Sequence, residues 1–255
     1  MAFKFVHTAD IHLDSPLKSL ALRDAGLADL VSNASRTTLS RIVDLCITED
    51  VQALIIAGDL YDGSQTSMKT ARFLAREMER LAEAGIPAYL IRGNHDALSK
   101  ITTELTLPDS VTVFPATCET IETTWNGHAI ALQGISFRDS HAPDSLLPQF
   151  GPPLPGAFNI GLMHTSLGGA PNHDPYAPCT LADLQQTGFD YWALGHIHQR
   201  AAYPGSSTIV MPGIPQGRDI GEAGSKSVTL VTVDDTGDVH LDERYLAVTQ
   251  FEHVS

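Results

Sequence analysis

Cysteine is scarce in this sequence: Cys46, Cys118 and Cys179 are the three present in 255 residues. An odd number with no C-x-x-C spacing argues against a disulfide framework and a thiolate zinc knuckle, and suits a reducing compartment. No apolar run approaches the roughly 18 residues of a membrane span. The N-terminal MAFKFVHTADIH lacks the long apolar stretch and small-residue cleavage site of a signal peptide. The expectation is a cytoplasmic protein with no membrane attachment. Basic residues are also few, 16 Lys and Arg against 30 Asp and Glu, for a net charge of −14. So acidic a surface does not draw in nucleic acid through its overall field. A polyanionic substrate must be held locally, by metal ions or a small basic patch, or delivered by a partner. Internal repeats and low-complexity tracts are absent.

What is present is apolar residue, 43% of the chain, enough for a sizeable core. Short β-branched runs at 3–8, 53–57, 88–91, 129–134, 158–163, 191–194, 208–211, 227–233 and 239–245 predict strands. Helical patterns cover 34–47 and 68–84, the second with Phe73, Leu74, Met78 and Leu81 on one face and Gly85 as a stop. Strand and helix alternate early and strands dominate late, which predicts an α/β fold with sheets packed inside and helices outside. The proline-rich 143–155 and the similar 168–178 read as surface loops, with 143–155 forming irregular chain or a lid edge. Neither reads as a linker, so the expectation is a single domain over 1–255.

Five of the strand-like runs end in residues that bind metals. FKFVHTA leads to Asp10 and His12, ALIIAG to Asp59 and Asp62, AYLIRG to Asn94, His95 and Asp96, NIGLM to His164, and YWALG to His196 and His198. Open sheets place ligands at the carboxyl ends of their strands, so the five loops should converge on one edge. In extended chain, residues i and i+2 point the same way, so Asp10 with His12, and His196 with His198, should each present a pair of ligands. Gly58, Gly93 and Gly195 precede ligands, where a missing Cβ lets the backbone turn tightly and approach the site. Carboxylate, imidazole and amide together suit Mn²⁺, Fe²⁺ or Zn²⁺. So many ligands exceed one tetrahedral ion and suit two ions about 3.5 to 4 Å apart, sharing a carboxylate and a nucleophilic water.

The series D-x-H, G-D-x-x-D, G-N-H-D, an isolated His and G-H-x-H, in that order, resembles the calcineurin-like metallophosphoesterases. Within that family HTADIHLDSPLKSL, GDLYDG, HTSLGG with HDPYAPC, YWALGHIHQR and MPGIPQGRDIGEAGSKSVTLVTVD look like the SbcD-type DNA repair exonuclease subunits, in particular their YhaO-like branch. The resemblance implies a four-layer αββα sandwich with two divalent ions, most readily Mn²⁺, at one edge. It implies that Asp10, His12, Asp59 and His198 hold one ion, and that Asp59, Asn94, His164 and His196 hold the other. His95 then looks like the acid that protonates the departing alkoxide or stabilises the pentacovalent phosphorane, with Asp62 orienting it. The implied activity is phosphodiester hydrolysis on DNA, as a 3′-exonuclease with some endonuclease activity in end processing. Implied partners are DNA, an SbcC-like ATPase and a second copy of the chain in a homodimer. Such subunits usually carry a capping and ATPase-binding region after the phosphoesterase domain, and the sequence stops at Ser255 without one.

Blander readings stand beside these. Asp62 and Asp96 could cap or turn the chain, since Asp is common in loops. His7, His128, His141, His173, His240 and His253 belong to no motif and default to structural or solvated roles, although His173 could line the rim with Tyr176. Arg138 and Arg218 could grip phosphate, and pairing with surface acids explains them equally well. Two other functions compete: a phosphodiesterase or phosphatase for cyclic nucleotides or other small phosphoesters, which the acidic charge favours, and a non-catalytic scaffold for a DNA-repair ATPase.

Overall fold

The computed structural model describes residues 1–15, 33–62, 67–97, 106–168 and 176–253. Its early half alternates strand and helix: β1 (Phe3–Thr8), α1 (Ala34–Thr48), β2 (Ala53–Ala57), α2 (Met68–Glu83), β3 (Ala88–Ile91) and β4 (Val111–Val113). Then come β5 (Glu119–Trp125), β6 (His128–Gly134), β7 (Phe158–His164), α3 (Leu181–Gln185) and β8 (Tyr191–Gly195). The chain continues through β9 (Ala201–Tyr203), β10 (Thr208–Met211), β11 (Ser227–Val233) and β12 (Val239–Tyr245). Two six-stranded sheets result, ordered β12-β11-β1-β2-β3-β4 and β5-β6-β7-β8-β10-β9. In the first, β1 to β4 are mutually parallel and β11 and β12 are antiparallel additions. In the second, β6, β7, β8 and β10 run parallel between antiparallel β5 and β9.

Residue patterns follow from this layering. Both β2 and β3 are buried along their whole length, as expected for parallel strands covered on two faces. One face of the first sheet packs on α1 and α2 through Leu39, Ile42, Val43, Leu74, Met78 and Leu81. Its other face meets the second sheet through Phe3, Phe5, Ile55, Leu132, Ile160 and Leu162, with Phe5 edge-on to Tyr191 at 5.1 Å between ring centroids. Burying each such side chain contributes about 1.5–3 kcal/mol. Helix α2 starts at Ser67, whose hydroxyl accepts the Lys69 N–H, and stops at Gly85, where φ is +73°.

The outermost layer is made of short pieces among the described residues. Over the second sheet lie α3, capped reciprocally by Thr180 and Asp183, and the segment around Leu146, Leu147 and Phe150. That segment belongs to the proline-rich stretch expected to be irregular. It contains a one-turn 3₁₀ helix, Leu147–Gln149, because Pro148 sits in the first turn where its missing N–H leaves nothing unbonded. Its apolar side chains pack on the sheet, so this part covers the core and is no lid edge.

The predicted strands and helices form within a residue or so of their expected limits. Unforeseen were β4, β5 and β9, all edge strands, together with the short α3. No helix among the described residues is long and apolar enough to cross a membrane.

Candidate metal centre

The predicted ligands sit at or just beyond the carboxyl ends of parallel strands: β1, β2 and β3 from one sheet, β7 and β8 from the other. The two sheets close on each other here. A Cβ at Gly195 would strike the Ala57 carbonyl and come 2.9 Å from His164 Nδ1; a Cβ at Gly93 would strike the Asp59 carboxylate. Glycine is required at both positions for space, and at Gly58 also for its φ of +93°.

The paired ligands do not converge by pleating. Asp10, His12 and Asp59 lie at φ of +52°, +45° and +51°, and His196 at +105°. The expectation of extended D-x-H and H-x-H pairs is therefore corrected: left-handed kinks, not strand alternation, turn these side chains inward. Non-glycine residues at such φ cost of order 1–3 kcal/mol each and cluster at functional sites. Neighbouring loops hold them through hydrogen bonds. Asp10 and His12 donate their N–H groups to the carbonyls of Gly58 and Asp59, at 2.9 and 3.0 Å.

Two clusters emerge. In one, Asp10, His12 and His198 present donor atoms close to one another. His12 Nε2 lies 3.3 Å from His198 Nε2, and His198 Nε2 lies 3.8 Å from Asp10 Oδ1. In the other, Asp59 Oδ2 and Asn94 Oδ1 lie 3.3 and 3.2 Å from His164 Nε2, and His196 completes the group. Asp59 Oδ2 also faces His12 Nε2 at 3.9 Å, so Asp59 stands between the clusters. This is the arrangement a shared, bridging carboxylate would need.

Buried polar atoms at the centre fit a cation. Asp10 Oδ1 is buried and has no hydrogen-bond partner among the described residues, a costly state unless a ligand completes it. Asp10 Oδ2 is occupied, accepting the His196 N–H at 3.0 Å; likewise Asp59 Oδ1 accepts the His95 N–H at 2.9 Å. Each carboxylate thus anchors a loop with one oxygen and directs the other inward. His164 Nδ1 donates to the Ala57 carbonyl at 2.9 Å, which leaves the Nε2 lone pair for a cation.

Electrostatics reflect the crowding. Burial raises the Asp10 carboxyl against its histidine neighbours. Burial pushes Asp59 up as well, but His164 and His12 outweigh it and hold that carboxyl low. His164 behaves reciprocally: burial disfavours its charge, yet Asp59 and Asp10 bring its pKa up to about 9. Burial lowers His12 to about 3, keeping it neutral and available as a ligand.

Beside the clusters, His95 Nδ1 and Asp62 Oδ1 are 2.9 Å apart, and Asp62 Oδ2 accepts from Ser15 Oγ at 2.9 Å. The His95 side chain is 40% exposed and lines a cleft of about 800 Å³ with Asn94, Tyr176, His196 and His198. Tyr176 stands at the rim, its ring centroid 4.8 Å from that of His196. Arg138 is exposed and does not line this cleft. Arg218 is engaged by the Glu222 carboxylate, with Nη2 2.7 Å from Oε1. His173 lies outside the described residues.

Two further residues matter here: Asp96, in the chain-turning role weighed for it, and Glu222, which was not foreseen. Asp96 is buried and accepts the N–H groups of Leu60, Tyr61 and Gly93 at 3.1, 2.8 and 3.1 Å, so it clamps the loops after β2 and β3 together. Burial, with the nearby Asp59 charge, drives its pKa up to about 7 against those donors. Glu222 reaches His198 Nδ1 at 2.7 Å. Burial pushes the Glu222 carboxyl up, but His198 and Arg218 hold it well below the usual range. Its position four residues after Arg218 in a glycine-bounded stretch is the one sequence signal that could have singled it out.

Comparison with known proteins agrees with this geometry. Residues 3–200 match the family described as calcineurin-like phosphoesterase. A Bacillus subtilis protein named uncharacterized metallophosphoesterase YhaO is 34% identical over 241 residues, covering 92% of this chain and 58% of the relative. A DNA double-strand break repair protein Mre11 from Sulfurisphaera tokodaii is 28% identical over 218 residues, covering 83% of this chain and 54% of the relative. The chain thus spans little more than half the length of these relatives. Among solved structures, a dimetal phosphatase from Danio rerio superposes with a TM-score of 0.58 at 14% identity, covering 97% of this chain and 99% of that one, a likeness of fold. The strand-end donor clusters, the two facing sheets and the match over 3–200 agree: the chain belongs to the calcineurin-like phosphoesterase family, whose members are metal-dependent hydrolases built on a dinuclear site.

Proposed function

We propose that this protein hydrolyses phosphodiester bonds at two divalent ions held by Asp10, His12, Asp59, His198, Asn94, His164 and His196, with DNA ends as substrate and Mn²⁺ as the metal. The observation that carries the reading is the pair of donor clusters meeting at Asp59 beside the His95–Asp62 pair. Divalent ions at such a site neutralise phosphate oxygens and make water nucleophilic near neutral pH. The chain's own residues supply the rest. Asp62 holds a proton at His95 Nδ1, so a charged His95 carries its transferable proton at Nε2, and the side chain lines the cleft. As water oxygen bonds to phosphorus and the ester bond breaks, that proton goes to the departing alkoxide, leaving a phosphomonoester and a free hydroxyl.

DNA is favoured as substrate by the relative named for double-strand break repair. With a net charge of −14 the chain needs help to grip a polyanion, and an SbcC-like ATPase partner or a second copy of the chain would provide it. A second reading, small phosphoesters such as cyclic nucleotides, is favoured by that same charge and by a cleft of nucleotide size.

The test strips the protein with chelator, reloads it with Mn²⁺ and compares 3′-labelled linear DNA, bis-p-nitrophenyl phosphate and a 2′,3′-cyclic nucleotide. DNA degradation that disappears in Asn94→Ala is the expected result. Cleavage of the small esters with DNA untouched at low salt would replace it with the second reading. In the same assay His95→Ala should lower kcat by on the order of 10²- to 10⁴-fold, and an unchanged kcat would remove His95 as the acid.

A further inference from the structure

We propose that Glu222, braced by Arg218, is a positioning residue that sets His198 for its ion; the inference rests on the dinuclear reading above. Glu222 comes from none of the ligand-bearing loops. It ends the one-turn 3₁₀ helix Ile220–Glu222, in the segment between β10 and β11. Its Oε1 lies 2.7 Å from His198 Nδ1, and its side chain is 11% exposed against 28% for His198. Arg218 Nη2 also approaches His198 Nδ1, at 3.2 Å, but the carboxylate is the nearer partner and the stronger acceptor, which favours the proton on Nδ1; the other tautomer would set two acceptors face to face at 2.7 Å. The lone pair is then fixed on Nε2, the atom that points toward His12 Nε2 at 3.3 Å and Asp10 Oδ1 at 3.8 Å. A carboxylate behind a ligating imidazole also makes it a stronger donor.

Arg218 keeps Glu222 in place. Its guanidinium donates from Nη2 to Oε1 at 2.7 Å and from Nε to Oε1 at 3.2 Å, while its backbone N–H donates to Oε2 at 2.7 Å. The turn itself does not depend on the Glu222 carboxylate alone: Asp219 Oδ1 accepts the Gly221 N–H at 2.8 Å, and the Gly224 N–H reaches the Phe251 carbonyl at 2.9 Å. Glu222 is therefore free to act on His198 while other bonds hold the loop.

The decisive experiment measures Mn²⁺ binding to the chelator-stripped chain by calorimetric titration and low-temperature electron paramagnetic resonance. Wild type, Glu222→Gln, Arg218→Gln and His198→Ala are compared. The expected result is two Mn²⁺ per chain in wild type, with one site weakened about 10–100-fold in Glu222→Gln and the other unchanged. His198→Ala should weaken the same site, and Arg218→Gln should do so to a smaller degree. Wild-type affinity at both sites in Glu222→Gln would overturn the proposal. Should that variant not fold, Arg218→Gln decides in its place, and unchanged affinities there overturn it equally. Fewer than two Mn²⁺ in the wild type is a separate result, which defeats the dinuclear reading itself.

Discussion

Carboxylates at the sheet edge divide their oxygens between holding backbone and facing the site, and Asp96 does only the former. With Leu60, Tyr61 and Gly93 all donating to it, Asp96→Asn puts an amide where three N–H groups need acceptors, leaving one donor buried and unmet. The expected loss is about 1–3 kcal/mol, read as a lowered urea midpoint; a wild-type midpoint would deny the clamp. His7 offers a second test. It is buried, with Nδ1 2.9 Å from the Tyr191 hydroxyl and Nε2 3.1 Å from the Leu194 carbonyl. Burial lowers its pKa to about 3, with the Leu194 carbonyl opposing and Arg200 assisting. An unfolded His7 titrates near 6.5, so between those values the unfolded chain binds the extra proton and stability falls as pH falls. From pH 6.5 to 5 the loss is about 1.6 kcal/mol. His7→Gln should show a shallower fall over that range, and an equal slope in both proteins would place the proton elsewhere. The residues that gather at this edge were legible because few residue types bind such ions and glycines flank them. The left-handed backbone at Asp10, His12, Asp59 and His196 was not, since contacts from other loops impose it. Glu222 offered little beyond its spacing from Arg218, for the same reason: its meaning lies in a contact with His198, 24 residues away.

At the scale of elements, what the sequence made legible tracks burial. Central strands such as β2, with five buried residues in Ala53–Ala57, announce themselves as continuous apolar runs. Edge strands need no such run, and β5, ETIETTW, shows mostly polar residues on its exposed face. The segment after β10 is harder still to read, being irregular but tightly held. Gln216, 2% exposed, donates from Nε2 to the Thr249 carbonyl at 2.9 Å and accepts the Val248 N–H at 2.7 Å and the Thr38 hydroxyl at 3.3 Å. One side chain thereby ties α1, the approach to Glu222 and the stretch after β12 together. Removing it in Gln216→Ala leaves part-buried backbone groups without this partner, at a cost of about 1 kcal/mol. Hydrogen exchange should quicken at 214–224 and 246–251 ahead of the sheets, whereas uniform protection in the variant would show that these segments are held by something else.

Across the whole molecule, the site is the place where two sheets that share no backbone hydrogen-bonded strand pair are brought together by polar groups. Asp10, His12, Asp59 and Asn94 come from the first sheet's loops, His164, His196 and His198 from the second's. Away from this edge the sheets adhere chiefly through apolar packing, as at Phe5 and Tyr191, with His7 adding a buried polar contact between them. At this edge the chain instead concentrates buried acids, on a molecule already carrying a net charge of −14. Ions that fill the site would bind the folded chain alone, because the unfolded chain scatters the ligands along 189 positions from Asp10 to His198. Binding of that kind raises stability by about 2.7 kcal/mol per ion at a hundred times its Kd. For two ions, the midpoint Tm of a domain of this size should rise on the order of 10–20 °C. Scanning calorimetry of chelator-treated protein against increasing Mn²⁺ reads this directly. The rise should continue with metal concentration and be smaller in Asp59→Asn, which weakens the carboxylate facing both clusters. A Tm that ignores Mn²⁺ would mean that the seven strand-end residues do not capture it, and the dinuclear reading would go with it.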